Sequence, residues 1–156
     1  MKSYKKILIV LLATCLLLGT GCIMNETTEG KKIGDEVLRC LNEDDTEGLK
    51  DIFCAETQTS TDLDAQIEAG MDFFDGKVTK SYTPLVDGGE SVTNGETDKQ
   101  DYTIDYLNIK TDTGKTYEVI CSGYFICKDN PDVIGVSEID IYDEDGNLCK
   151  IGECID

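Results

Sequence analysis

Chemistry in this chain has to come from carboxylates, phenols, amines and thiols. The sequence of 156 residues has no histidine and a single arginine, Arg39, beside 32 acidic residues and 8 cysteines. Without histidine, neither a Ser-His-Asp nor a Cys-His nucleophile can form, and histidine-rich zinc sites are excluded. A single guanidinium argues against a forked clamp for phosphates. Acid–base catalysis would depend on Asp, Glu, Tyr, Lys or Cys.

Cys22 is the side chain whose chemistry the sequence indicates most clearly. Three lysines near the start precede an apolar run at 7–20, which is shorter than the about 20 residues that span a bilayer. Such a start is typical of a secretory signal. The run ends in Leu18-Gly19-Thr20-Gly21-Cys22, which resembles the lipobox of exported bacterial lipoproteins. We therefore predict that residues 1–21 are removed and that the Cys22 thiol carries a diacylglycerol. Cys15 is a weaker candidate, and an ordinary signal or an uncleaved anchor helix is the alternative.

The predicted lipid would hold the protein on the outward face of the cell membrane. Residues 22–33 are mostly polar and are predicted as a tether, and residues 34–156 are long enough for one domain. Removal of the three leader lysines takes the formal charge from −18 to −21. This charge repels nucleic acid and anionic headgroups, so neither is an expected partner.

The six other cysteines leave two states open. Their even number in an exported chain allows three disulfides, whereas buried free thiols behave as small hydrophobes. The spacings are wide and contain no CxxC motif, which argues against a redox or zinc site. Cys149 and Cys154 are a weak candidate for a local bridge.

A calcium site is the weak alternative at the acidic segment near residue 145. Asp143, Asp145 and Asn147 place oxygen ligands at alternate positions. A helix-loop-helix calcium loop also needs Gly at its sixth position and Glu at its twelfth, where this chain has Leu148 and Cys154. A hairpin turn explains the same residues, so the metal is left unassigned and no cofactor is expected.

Helices are predicted in the first half of the chain. Residues 33–54 have apolar residues at helical spacing and are predicted as a helix broken in its middle, with Thr46 capping the second piece. Residues 55–61 are predicted as a polar loop. A further helix is predicted over 62–75, with Thr61 as its cap and Asp64 as the capping-box partner.

Strands are predicted in the second half, from period-two alternation between turn signals. They cover 77–86, 101–110, 115–127, 133–142 and a short segment after Asn147, with a polar loop between the first two. The strand at 115–127 is apolar on both faces near its end and is predicted to be central. Helices followed by an antiparallel meander indicate an α+β fold with the helices on one face of the sheet.

Residues 34–152 resemble the nuclear transport factor 2-like superfamily, which includes ketosteroid isomerase and SnoaL-type proteins. The resemblance is carried by Asn42-x-x-Asp45-x-x-Gly48-Leu49-x-x-x-Phe53, by Gly114-Lys115-x-Tyr117 and by Asp129-Asn130-Pro131-Asp132-x-Ile134-Gly135. Within that superfamily, the chain is similar to small Firmicute lipoproteins that consist of domains of unknown function. The resemblance implies a curved, cone-like sheet around a pocket, and it allows a homodimer through the sheet.

The same resemblance implies a pocket lined by tyrosines. In the enzymes of the superfamily, Asp and Tyr in the cone move protons, and here Tyr102, Tyr106 and Tyr117 are the candidate lining residues. Alternation places Asp105 opposite Tyr102 and Tyr106, and Asp140 opposite neighbouring isoleucines. Both aspartates are therefore expected to face solvent, away from the tyrosines.

From these patterns we expect a membrane-tethered exported lipoprotein that binds a ligand or partner and has no catalytic activity. A small apolar ligand or a peptide in a concave sheet is the expected partner. The alternatives are a small isomerase- or hydratase-type enzyme that uses Asp and Tyr, and a calcium-binding surface protein.

Overall fold

The computed structural model describes residues 27–81 and 83–155, and four helices come first in this part of the chain. Residues 27–43 form α1, which is followed by α2 (Thr46–Ile52), α3 (Ala55–Gln58) and α4 (Leu63–Phe73). Seven strands follow: β1 (Val78–Lys80), β2 (Leu85–Asp87), β3 (Glu90–Thr93), β4 (Glu96–Thr111), β5 (Thr116–Cys127), β6 (Gly135–Asp143) and β7 (Leu148–Gly152). A 3-10 turn at Pro131–Val133 connects β5 to β6.

The strands form one open, curved sheet in the order β1-β4-β5-β6-β7, and β2 and β3 also pair with β4. Every pair of these strands is antiparallel. The predicted α+β class with helices packed on a curved antiparallel sheet is therefore confirmed. The prediction that the strand at 115–127 is central is also confirmed, because β5 lies between β4 and β6.

A bulge in β4 contributes to the curvature. The register against β5 shifts between Tyr106 and Ile109, and Asn108 within the bulge has φ 54°. Tyr106 and Ile109 are three positions apart, yet both are buried. The extra residue thus keeps the buried side chains of β4 directed at the core on both sides of the bulge.

The core lies between the helices and one face of the sheet. The helical side chains with almost no exposure are Val37, Cys40, Leu41, Leu49, Leu63 and Ile67, and those of the sheet include Ile104, Val119, Ile139, Ile141 and Ile151. Helix α1 approaches β4 closely at Gly34, where a Cβ would lie 2.5 Å from Cε2 of Tyr106. A larger residue at position 34 would therefore push α1 away from the sheet.

The single arginine connects α1 to α2. Arg39 donates from Nη2 to Asp45 Oδ2 at 2.7 Å and from Nη1 to Glu43 Oε2 at 2.7 Å. Asp45 also accepts from the backbone N–H of Gly48 at 2.9 Å and is the N-cap of α2. The expected cap at Thr46 is thus wrong by one residue, because the carboxylate of Asp45 reaches the free N–H groups of the first turn.

Two further helix predictions need correction. The polar loop expected over 55–61 contains α3, and Thr57 within it is buried with its hydroxyl 3.2 Å from the Cys54 thiol. Helix α4 has Asp62 at its N-cap position, so Thr61 is not its cap. The Asp62 carboxylate accepts instead from the side chains of Ser60 and Gln66.

The sheet also differs from the prediction between residues 77 and 100. The single strand expected over 77–86 is two short strands, β1 and β2, which pair with different parts of β4. The polar loop expected after them is a hairpin, in which β3 turns at Asn94-Gly95 into β4. All four β3 residues are exposed, so no apolar alternation marks the strand.

Part of the segment predicted as a tether, residues 22–33, is helical. Residues 27–33 belong to α1, and Gly30 is buried, with Val86 and Ile104 in the position that its Cβ would occupy. The packed domain thus includes residues before 34, and residues 22–26 lie outside the described part.

Candidate functional site

The tyrosines expected to line a pocket are part of the core. Tyr102, Tyr106 and Tyr117 are each 2% exposed and lie on the helix-facing side of the sheet. The ring of Tyr102 packs on Phe125 with centroids 4.3 Å apart, and the ring of Tyr117 packs on Phe74 at 4.6 Å. These contacts bury the rings of Tyr102 and Tyr117 in aromatic packing.

The three phenols differ in their hydrogen bonds. Tyr117 accepts from the backbone N–H of Asp75 and donates to the carbonyl of Phe73, both at 3.0 Å. Tyr106 donates to the carboxylate of Asp35 in α1. Tyr102 Oη is buried and has no hydrogen-bond partner among the described residues. Burial raises the pKa of Tyr102 and of Tyr106, so both phenols stay protonated at neutral pH.

Asp35 is the carboxylate that the sequence did not indicate as a partner of these tyrosines. Partial burial opposes its ionisation, but hydrogen bonds from Lys31 and Tyr106 outweigh burial and lower the pKa of Asp35. Lys31 Nζ lies 2.5 Å from its carboxylate, and half of the Asp35 side chain is exposed. A carboxylate that stays ionised and paired is a poor proton acceptor, so this Asp–Tyr pair has a structural role.

The opposite face of the sheet carries several carboxylates, and none of the four described helices packs on it. In one row across the strands, directly opposed residues run Leu85, Asp105, Ile120, Asp140 and Lys150. A neighbouring row runs Asp87, Thr103, Ser122, Glu138 and Gly152, and a third runs Glu118, Tyr142 and Leu148. We call the surface formed by these three rows the acidic face.

The carboxylates of the acidic face are crowded and poorly neutralised. Within the three rows Lys150 is the single cation; its Nζ lies 2.7 Å from Glu138 Oε2 and 3.3 Å from Asp140 Oδ1. Asp105 Oδ1 is buried and has no hydrogen-bond partner among the described residues. The contact from Lys150 to Asp140 Oδ1 is an ion pair without hydrogen-bond geometry.

Burial and the crowding of charges raise the pKa values of three carboxylates on this face. Burial raises the pKa of Asp105. Burial, with the charge of Asp105 as a second cause, raises the pKa of Glu118. Burial and the charge of Glu138 raise the pKa of Asp140, although Lys150 opposes both.

The sequence alternation predicted the outward direction of Asp105 and Asp140, and the structure places them there. Glu118 was missed, because only the register shift between Tyr106 and Ile109 places it on the same side of the sheet as Asp105.

A polar cleft on the helix side is another concave surface of the described residues. It has a volume of about 320 Å³ and lies between the start of α4 and the end of β7. Its polar groups bind one another: Gln66 Oε1 accepts from Gly152 N at 2.7 Å, and Asp62 accepts from Ser60 and Gln66. Because these donors and acceptors are satisfied internally, the acidic face is the stronger candidate.

The proposed calcium ligands form a hairpin turn. Asp143 accepts from the backbone N–H of Asp145 at 3.0 Å and from that of Asn147 at 2.8 Å, and also from the Asn147 side chain at 2.8 Å. These hydrogen bonds, the Asn147 side chain first, lower the pKa of Asp143. Gly146 has φ 81°, as the turn requires. Among the described residues, no group of three His, Cys, Asp or Glu side chains is arranged to hold a metal ion.

The six described cysteines are free thiols in the structure. Cys149 is partly buried in β7 and Cys154 is exposed, so the bridge between them stays a prediction. Burial raises the pKa of Cys40 to about 11 and that of Cys121 to about 12. Both thiols are therefore protonated, and unreactive, at neutral pH.

The predicted lipidation site, Cys22, lies outside the described residues. Within the described part of the chain, no helix is both long enough and apolar enough to cross a membrane.

Comparison with known families shows a match. Residues 36–144 match the model of a family described as a domain of unknown function, DUF5104. The matched segment begins in α1 and ends just after β6, so it includes four of the five strands of the acidic face. No curated protein matches the chain.

Proposed function

Because the chain belongs to the DUF5104 family of unknown function, we propose a function from its sequence and geometry: a lipid-tethered exported domain that binds a partner without catalysis. Cys22 carries the lipid, and the folded domain is held on the outward face of the cell membrane. The domain is a nuclear transport factor 2-like fold whose interior is filled by side chains. An apolar chain in the bilayer contributes about 0.8 kcal/mol per buried CH₂ group, so two chains give stable anchoring.

The observation that carries the binding role is the difference between the two faces of the sheet. On the helix side, Tyr102, Tyr106 and Tyr117 are packed, and two of their hydroxyls bind within the fold. On the other side, the described helices leave carboxylates partly exposed, and Oδ1 of Asp105 and of Asp140 has no hydrogen-bond partner among the described residues. Unsatisfied acceptors of this kind gain free energy when another molecule supplies the donors.

The absence of histidine from the sequence supports the non-catalytic part of the proposal. The Asp–Tyr pair of the fold is Asp35 with Tyr106, and Asp35 is held in its ionised form by Lys31 and Tyr106. The aspartates with raised pKa values, Asp105 and Asp140, lie on the face opposite the tyrosines. Neither aspartate is therefore beside Tyr102, Tyr106 or Tyr117, and the tyrosine on their own face is Tyr142 of the third row.

Metabolic labelling with an alkyne fatty acid tests the tether. We expect the wild-type chain to incorporate the label and to fractionate with membranes. The Cys22→Ala variant should lose the label and accumulate as precursor or in the medium. The matched control is Cys15→Ala, which removes the neighbouring thiol and should stay labelled. Labelling that survives Cys22→Ala would overturn the proposal.

A further inference from the structure

We propose that the acidic face docks a partner protein through a segment rich in lysine or arginine. This inference rests on the proposed binding role and names the chemistry of the partner. The face spans five strands, β2, β4, β5, β6 and β7, whose spacing gives a width of about 19 Å. An extended segment of about six residues would cross it.

The charge of the face selects a cationic partner. Asp87, Asp105, Glu118, Glu138 and Asp140 share the three rows with Lys150, and the next row on the same side of the sheet carries Lys80 and Lys110, which leaves an excess of negative charge. The side chains of Glu138 and Asp140 are only 14% and 16% exposed, so their charges are already partly desolvated. A partner ammonium or guanidinium group would pair with the partly exposed carboxylate of Asp105 from the solvent side, at a smaller desolvation cost than between two fully hydrated ions.

The apolar residues of the face favour a protein segment as the source of that charge. Leu85 is 63% exposed and Leu148 is 45% exposed, and both are in the rows that contain the carboxylates. Ile120, between Asp105 and Asp140, is partly exposed. The aliphatic stems of lysine and arginine pack on such residues while their charged ends reach carboxylates.

A hollow at one side of the face is a place for one such side chain. Leu85, Asp87, Asp101, Thr103 and Asp105 line it, and its volume is about 520 Å³. Three of these five residues are acidic, and Leu85 gives the hollow an apolar wall. This combination matches a lysine or arginine side chain, which is apolar along its stem and cationic at its end.

The same charge argues against a second copy of this chain as the occupant. Two acidic faces in contact would bring their carboxylates together with one Lys150 from each copy. Like charges opposed across an interface cost several kcal/mol. Anionic lipid headgroups are repelled for the same reason.

Fluorescence anisotropy of the full chain, held in a neutral detergent, tests the proposal. The probe is a fluorescein-labelled peptide of alternating lysine and leucine, and a glutamate–leucine peptide of equal length is its counterpart. The face variant is Asp105→Asn/Glu118→Gln/Asp140→Asn. The matched control, Asp51→Asn/Glu68→Gln/Asp72→Asn, removes the same charge from exposed positions of α2 and α4.

We expect the wild-type chain and the control to bind the lysine peptide within about twofold of each other, and the face variant to bind at least about tenfold more weakly. Circular dichroism of all three chains checks folding, and Asp105→Asn alone is the milder variant if the triple variant unfolds. Equal weakening of peptide binding by both triple variants would overturn the proposal, because binding would then depend on the net charge of the protein and not on this face. Failure of the wild-type chain to bind the lysine peptide would also overturn it. So would a dimer of the wild-type chain, seen by sedimentation at neutral pH, that the face variant does not form.

These results are separate from the test of the tether. Peptide binding is measured on the purified chain, whether or not Cys22 is lipidated. If the wild-type chain is not labelled but binds the lysine peptide, the tether alone is refuted. If it is labelled but does not bind the peptide, the partner chemistry alone is refuted.

Discussion

Tyr106 of β4 donates a hydrogen bond to Asp35 of α1, which joins two residues 71 positions apart across the edge of the core. The contact explains why the tyrosine can be buried without an unpaired hydroxyl. It also connects the first described helix to the longest strand, next to the close approach at Gly34.

Tyr106→Phe should therefore destabilise the fold. The substitution removes the hydroxyl and leaves the Asp35 carboxylate with one donor fewer, a loss of about 1.5 kcal/mol for a hydrogen bond to a charged group. The free energy of unfolding from urea titration is the measurement. Tyr142→Phe, on the acidic face, is the matched control and should change it by less than about 0.5 kcal/mol. Equal effects of both substitutions would contradict the prediction.

Tyr102→Phe should have the opposite outcome. Tyr102 Oη is buried without a partner among the described residues, so its removal relieves a desolvation penalty. We expect the free energy of unfolding to stay unchanged or to increase by about 1 kcal/mol, in the same urea titration. A decrease as large as that of Tyr106→Phe would show that the hydroxyl is satisfied in solution.

Asp105→Asn should stabilise the protein at neutral pH. Burial raises the pKa of Asp105, so the folded state binds this proton more tightly than the unfolded state does. The carboxylate therefore costs stability as the pH rises above its ordinary pKa of about 4. Thermal melting should show a higher Tm for Asp105→Asn than for wild type at pH 7, and a smaller difference near pH 4. Asp51→Asn is the control with equal change of charge, and a pH-independent difference for Asp105→Asn would refute this account.

Gly70→Ala should destabilise the contact between α4 and β7. A Cβ at position 70 would lie 2.5 Å from Cδ1 of Ile151, which is fully buried. Overpacking of this kind costs about 1–3 kcal/mol, more than the about 1 kcal/mol that alanine contributes to a helix interior. Ile151→Val deletes Cδ1, so the double variant should be more stable than the two single changes predict by addition. Additive free energies of unfolding would argue against the close contact.

Much of the fold could be predicted because local periodicity determines the direction of each side chain. The alternation over 101–110 put Tyr102 and Tyr106 on one side and Asp105 on the other, and the structure has them there. The failures arose where periodicity was absent. The four residues of β3 are polar and exposed, so the hairpin at Asn94-Gly95 carried only a turn signal.

The candidate site was harder to predict because it depends on contacts between distant residues. Whether the inward tyrosines line a cavity or fill a core is decided by helix packing, and Asp35 gives no local sign that it pairs with Tyr106. The acidic face required the register of neighbouring strands. Glu118 and Asp105 are 13 positions apart in the sequence, and only the pairing of β4 with β5 brings their charges close.

The three buried thiols can report how often the structure around each of them opens. Cys40, Cys54 and Cys121 lie in α1, just before α3 and in the central strand, and each is at most 2% exposed. An alkylating reagent can reach each of them only when the surrounding structure opens, and proteins open locally with free energies that vary from region to region. Exposed Cys154 reacts at once and supplies the reference. Mass spectrometry of timed alkylation would therefore rank the opening of a helix, a loop and the centre of the sheet in the unlabelled, unmutated protein.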